Sequence, residues 1–363
     1  MLSFFETLTD PRVERTKLHS LKDIIGLTIC AVLSGCNDWE EIELYGESKI
    51  SWLKQFLALP NGIPSHDTIN RLFASLHPGE LQRCFMDWVQ SIAGVSEGRI
   101  ISLDGKRLCN AGIEGKKAII HMVSAWSNEN NMVLGQVKTE EKSNEITAIP
   151  TLLDLLCIEG AIITIDAMGC QQAIAEKIIQ QKADYVLAVK ENQAHLLDDI
   201  QEAFEQTPEV ACHTTLEKSH GRIEKRSCKV ITDMDWISKQ EKWKNAQSLI
   251  CVESERTIME TGNKQIEQRY YISSLRATEQ QFNHIVRQHW GIENKLHWCL
   301  DVTFKEDLST KQAGNAAENF STITKIALNL LKNENSKKRS LKNKRLLCGW
   351  NEDFLSKIVF KPI

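Results

Sequence analysis

Three carboxylates lie far apart in the chain yet share a setting. Asp104 closes the apolar run Ile100-Ile-Ser-Leu103, and Asp166 closes Ile162-Ile-Thr-Ile165. Glu293 sits in His289-Trp-Gly-Ile-Glu-Asn-Lys-Leu-His-Trp298, a stretch with helical patterning. Carboxylates at the ends of two strands and on one helix can gather two hard divalent ions. Cleavage of a phosphodiester needs such a pair, one ion activating the attacking oxygen and the other stabilising the leaving oxygen. The expectation is therefore two ions, Mg²⁺ (or Mn²⁺), held by Asp104, Asp166 and Glu293. Each residue also has a plainer reading. Asp-Gly favours a hairpin turn, an Asp after a strand often caps the next helix, and a helical Glu is often a surface charge. Chain order and element type together favour the chemical reading.

A rival set lies in the same helix. His289, Glu293 and His297 recur at four-residue spacing, so they share one face and resemble a zinc-ligand stripe. The more specific helical zinc signal, His-Glu-x-x-His, is absent. Residues that could hold a phosphate backbone are more dispersed. Lys106 lies two residues past Asp104 and so on the same strand face, and Lys190 ends an apolar strand-like run. His220-Gly-Arg222-Ile-Glu-Lys-Arg226 brings Arg222 and Arg226 to one strand face. Arg287, His289 and Lys295 flank Glu293 on its helix. For the strand arginines a solvated, charge-guarded edge is an equally good reading.

These residues need elements to position them. Up to about residue 96 the apolar spacing is three and four, as in helices over 21–33, 39–57 and 68–95. Ser65 reads as an N-cap opening a short helix that could read DNA, although most helices capped this way are structural. Beyond Gly98 the period becomes strand-like. Runs over 99–108, 118–127 and 132–139 predict three strands; a helix (144–157), a strand (161–166), a helix (171–182) and a buried strand (185–190) follow. A meander continued by right-handed parallel crossovers gives a mixed sheet with helices on both faces. In an RNase H-like topology the first and fourth strands are neighbours, which would set Asp104 beside Asp166. Residues 207–270 read as a β-rich insertion, followed by the helix that carries Glu293 and by another over 311–332. The division expected is 1–96 helical, 97–335 catalytic, and 336–363 a basic C-terminal tail.

Bulk properties set bounds on this. The chain has 363 residues, 42% hydrophobic and 25% charged, values ordinary for a globular protein with a substantial core. The apolar run over 24–36 is too short to span a bilayer, and no signal-peptide pattern opens the chain. Eleven cysteines without a Cys-x-x-Cys pair fit a reducing compartment, hence a cytoplasmic, nucleoid-associated location. A net charge of −4 argues mildly against nucleic acid, but seven Lys/Arg against Glu334 between Lys332 and Arg345 form a basic run.

Taken together, several segments resemble the bacterial insertion-sequence DDE transposases of the ISAs type, including the H-repeat-associated proteins. They are Leu27-Thr-Ile-Cys-Ala-Val-Leu-Ser-Gly35, Gly62-Ile-Pro-Ser-His-Asp-Thr-Ile69, Leu103-Asp-Gly-Lys106 and Lys142-Ser-Asn-Glu-Ile-Thr-Ala-Ile-Pro150. Further along come Asp166-Ala-Met-Gly-Cys-Gln171, Lys218-Ser-His-Gly-Arg222, Arg269-Tyr-Tyr-Ile-Ser-Ser274, Glu293-Asn-Lys-Leu-His-Trp298 with Leu300-Asp-Val302, and Gly314-Asn-Ala-Ala-Glu318. The resemblance implies an RNase H-like domain with an insertion before the glutamate, an N-terminal helical domain associated with it, and Asp104, Asp166 and Glu293 as the DDE triad. It implies metal-dependent cutting at insertion-sequence ends and strand transfer into target DNA, by a homodimer assembled on DNA. An inactive or domesticated remnant that binds DNA without transposing is the alternative. The pattern Tyr-x2-Arg-x3-Glu-x6-Lys of related transposases is kept only at its glutamate: Val286, His289 and Leu300 occupy the other positions.

Overall fold

The computed structural model describes residues 1–93, 98–108, 120–139, 145–219 and 221–360. Helices α1 (Leu21–Leu33), α2 (Trp39–Leu53), α3 (His66–Ser75) and α4 (Pro78–Ala93) come first. Strands β1 (Ile100–Leu108), β2 (Ile120–Ser127) and β3 (Met132–Lys138) then form the meander. The crossover part follows as α5 (Glu145–Leu155), β4 (Ile162–Ile165), α6 (Gln172–Gln180), β5 (Asp184–Val189) and α7 (Ala194–Gln206). Next are β6 (Cys212–Ser219), β7 (Arg222–Ile231), β8 (Ser248–Ile258) and β9 (Lys264–Ser273). Helices α8 (Glu279–His289), α9 (Trp298–Phe304), α10 (Ala316–Asn333), α11 (Leu341–Trp350) and α12 (Glu352–Phe360) complete the chain.

All nine strands belong to one sheet, in the order β3-β2-β1-β4-β5-β9-β8-β7-β6. The β1-β4 and β4-β5 pairs are parallel, and Leu103 lies opposite Ile165, which puts Asp104 and Asp166 side by side as the topology predicts. The strand continues through Asp104-Gly105 to Leu108, so the hairpin-turn reading of that dipeptide is overturned. The β-rich insertion is an extension of the same sheet: β9 pairs antiparallel with β5 and hands the sheet on to β8, β7 and β6.

Alternation along β1 decides what faces what. Ile101 and Leu103 join Ile163 and Ile165 in a core under α5, α6 and α7. Ile100 points the other way and packs with Val186, Ile250, Phe282 and Ile285 beneath α8. Ser102, Asp104 and Lys106 share that second face. A third and larger core joins α1–α4 to α9–α12, with Trp126, Met132 and Val133 of the sheet. At its centre α10 is buried on all sides from Asn319 to Leu331. Asn329 accepts from Val133 N–H (2.8 Å) and donates to Val133 C=O (2.9 Å), closing the sheet's rim at β3. Asn319 donates to the Phe73 and Leu76 carbonyls at the end of α3.

Residues 336–363 were expected to be a basic tail. The described part of this segment instead folds into α11 and α12, burying Cys348, Phe354, Leu355, Ile358 and Val359 in the helical core. Arg345, in the middle of the basic run, is 5% exposed and donates to the Val32, Cys36 and Thr303 carbonyls. The helical spacing of its apolar residues outweighs the charge run. Among the described residues no helix is long and apolar enough to cross a membrane.

Candidate functional site

At the carboxyl end of β4, Asp166 adopts extended backbone and its Oδ1 accepts the amides of Met168 (3.1 Å) and Gly169 (3.3 Å). The capping role thus exists, and the carboxylate still faces Asp104. Two ligand sets result, the atoms of each lying within 4.8 Å of one another: Asp104, Glu145 and Asp166, and Asp104, Glu293 and His297. Asp104 belongs to both. The structure therefore brings Asp166 and Glu293 each to Asp104, keeps His297 of the rival stripe beside Glu293, and adds Glu145.

Glu145 opens α5 and escaped the sequence reading, because nothing in its local pattern sets it apart from an ordinary first-turn acid. Its carboxylate lies directly over Gly105, where a Cβ would collide with Glu145 Oε1. A side chain at Gly105 would displace the Glu145 carboxylate from this position. The one available signal was Glu145's place in the Lys142-to-Pro150 segment. Burial, then the charges of Asp166 and Asp104, push its carboxyl up to about 7. Burial and Asp104 likewise raise Asp166. Such crowding of negative charge fits a hard divalent cation as counter-ion.

The helix carrying Glu293 is not continuous. After α8 and Trp290 the chain makes a wide, π-type turn over Glu293–His297 before resuming as α9. Such turns recur at functional sites. Glu293 is exposed, whereas His297 is only 4% exposed. One turn earlier, His289 Nδ1 lies 2.9 Å from Thr164 Oγ1, which donates to Ser102 Oγ; Asn128 Nδ2 also reaches Ser102, and Trp126 Nε1 reaches Asn128. Ser102 and Thr164 stand two residues before Asp104 and Asp166, so this chain of bonds ties α8 to the strands directly behind the acids. Burial lowers the His289 pKa, favouring the neutral ring. The zinc stripe is thereby split: among the described residues, His289 is in neither ligand set.

The basic candidates separate. Lys106 is clamped by Asp301, Glu306 (3.0 Å) and Asp307 (3.6 Å), with its side chain 11% exposed. Although burial opposes the charge, these carboxylates raise its pKa. It is a strut between β1 and α9, not a free phosphate contact. Arg226 is likewise buried and paired with Glu224 (2.9 Å) and Glu217 (3.4 Å). Lys190 and Arg222 are exposed and Lys295 is partly so. Lys190 begins a turn tied to the Asp166 loop through Asn192 Nδ2 to Ala167 O (2.7 Å) and Gln193 Nε2 to Cys170 O (2.9 Å). Arg287 is half-exposed, 3.4 Å from Glu217. His220 lies outside the described residues. Arg256 and Arg269, passed over in the sequence, join Arg287 in lining a groove of about 290 Å³ between β7–β9 and α8. Arg226 and Trp290 line it too, Arg269 stacks 4.5 Å over the Trp290 ring, and the groove runs to Glu293. An apolar cavity of about 380 Å³ between α4, β3 and α5 contains none of the acids.

A mixed sheet with neighbouring parallel β1 and β4, helices on both faces and carboxylates clustered within β1 and just beyond β4 defines the RNase H-like class. Within that class, residues 96–330 match the transposase DDE domain and residues 2–89 the DDE_Tnp_1-associated domain, and the chain belongs to the DDE transposase family. It is 42% identical over 350 residues to the "H repeat-associated putative transposase YhhI" of Escherichia coli (strain K12), covering 94% of this chain and 92% of that protein. To the "Putative transposase YncI" of Escherichia coli O157:H7 it is 41% identical over 367 residues, covering 99% and 94%. A shorter match, 54% over 55 residues, is to the "Inactive transposase YbfQ" of strain K12; it covers 15% of this chain and 66% of that protein.

Proposed function

We propose that this protein is an active DNA transposase that nicks the ends of an insertion sequence and joins the freed 3′ hydroxyl to target DNA. The observation that carries this reading is the sharing of Asp104 between two ligand sets, one reaching Asp166 and the other Glu293. A divalent ion pair held there supplies charge neutralisation at the phosphate and an acidified water. Asp104 lies between the two positions, and Asp166 is oriented by two backbone amides. Burial and the charges of Asp166 and Asp104 push the Glu145 carboxyl up to about 7, crowding that a bound cation would relieve. Arg256, Arg269 and Arg287 line the groove that ends at Glu293 and suit the backbone of a DNA strand. Lys190 and Lys295 flank the acids, and Arg222 stands further out on β7. Because an element has two ends, two subunits act together on DNA.

The test is cleavage of a supercoiled plasmid carrying the gene with its natural flanks, in Mg²⁺ or Mn²⁺. Wild-type protein is expected to nick at the element ends, and Asp166→Ala to lose this by a thousandfold or more, on the order of 4 kcal/mol. Equal nicking by the variant would reject the assignment. End binding by wild type without nicking would identify a DNA-binding remnant.

A further inference from the structure

We infer that His297 is a metal ligand, giving the Asp104–Glu293 position a nitrogen donor and a preference for a first-row transition ion over Mg²⁺. This rests on the reading of the acidic cluster as an ion-holding centre, and it deepens that reading by assigning the kind of ion. The imidazole is 4% exposed, and neither Nδ1 nor Nε2 has a hydrogen-bond partner. Nε2 is 3.2 Å from Asp104 Oδ2, within ion-pair distance but off the line of a hydrogen bond. A buried ring with two unsatisfied nitrogens is costly in a folded protein and calls for a partner. Nε2 faces Asp104, and Asp104 and Glu293 each offer a ligand atom within 4.8 Å of a ring nitrogen and of each other.

Ligand chemistry then separates the two positions. Asp104, Glu145 and Asp166 offer oxygen alone, the set that Mg²⁺ accepts. Asp104, Glu293 and His297 offer two oxygens and an imidazole, a set that suits first-row transition ions, while Mg²⁺ favours oxygen throughout. Among the described residues His289 belongs to neither ligand set and serves as an internal control.

The experiment uses Mn²⁺ as the probe and needs no DNA. Purified full-length protein is loaded with Mn²⁺ and studied by pulsed electron paramagnetic resonance, once with natural-abundance histidine and once with ¹⁵N-histidine. The expected result is a directly bound nitrogen coupling that changes to the ¹⁵N pattern in the labelled sample. His297→Gln should abolish the coupling and weaken Mn²⁺ binding about tenfold while leaving Mg²⁺ binding nearly unchanged; His289→Gln should keep the coupling. Absence of any nitrogen coupling in the wild-type protein overturns the inference, and so does its persistence in His297→Gln. The isotope comparison uses the unmutated chain, so a folding defect in a variant cannot obscure the answer. Nicking of DNA without nitrogen coupling sinks this inference alone, whereas coupling without nicking sinks the transposase reading and leaves the ligand assignment intact.

Discussion

Glu145 shows how an individual side chain can stay invisible in a sequence and still dominate a site. It is 41 positions from Asp104 along the chain, and only the crossover from β3 into α5 delivers it over Gly105. Its raised pKa has a consequence for the metal-free protein. Because the folded value of about 7 exceeds the ordinary 4.5, the folded chain binds more protons than the unfolded chain between these values. Stability therefore falls as pH rises through that window. The melting temperature in a chelator should drop from pH 5 to pH 8, and Glu145→Gln should flatten the drop and melt higher at pH 8. Magnesium or manganese should reverse the drop in the wild type. An unchanged slope in Glu145→Gln would place the strain in other groups. Asp104 and Asp166, in contrast, were legible because each closes a strongly apolar run, and the topology makes the two runs neighbours.

Among the elements, the least expected is the strut formed by Lys106, Asp301 and Glu306, which fixes α9 to β1 and so holds the wide turn bearing Glu293 and His297. The sequence put Lys106 on the right face, but strand alternation alone could not say whether that face opens to solvent or meets a helix. Replacing Lys106 by Ala leaves Asp301 and the buried Glu306 short of a partner, a loss on the order of 3 kcal/mol. Urea unfolding followed by tryptophan fluorescence should show the midpoint fall, and a midpoint equal to wild type would remove the strut from the account. The sequence pattern reads as one helix carrying Glu293, since a turn one residue wider disturbs apolar spacing too little to be noticed.

At the scale of the whole molecule, the core strands and their order were readable because β4, β5 and the first half of β1 are short, mostly apolar and largely buried runs. The extension of the sheet through β9-β8-β7-β6 was not, because half-exposed alternating strands carry no sign of which edge they will join. The C-terminal helices were masked by charge: Lys344 and Arg345 look solvated in sequence, yet both are buried. Removing the Arg345 side chain takes donors from the carbonyls of Val32, Cys36 and Thr303, and Arg345→Ala should destabilise the fold by about 3 kcal/mol. Thermal denaturation measures this, and a tolerated change would restore the tail interpretation.

The amide of Asn329 imitates the peptide group of an absent neighbouring strand, so lateral growth of the sheet stops at β3. Such a stopper keeps encounters between copies from becoming fibrous. Asn329→Leu preserves bulk but uncaps Val133. The expected phenotype is accelerated thioflavin-positive precipitation at modest temperature, while unaltered solubility would show that the flanking helices α4 and α10 suffice to seal that border.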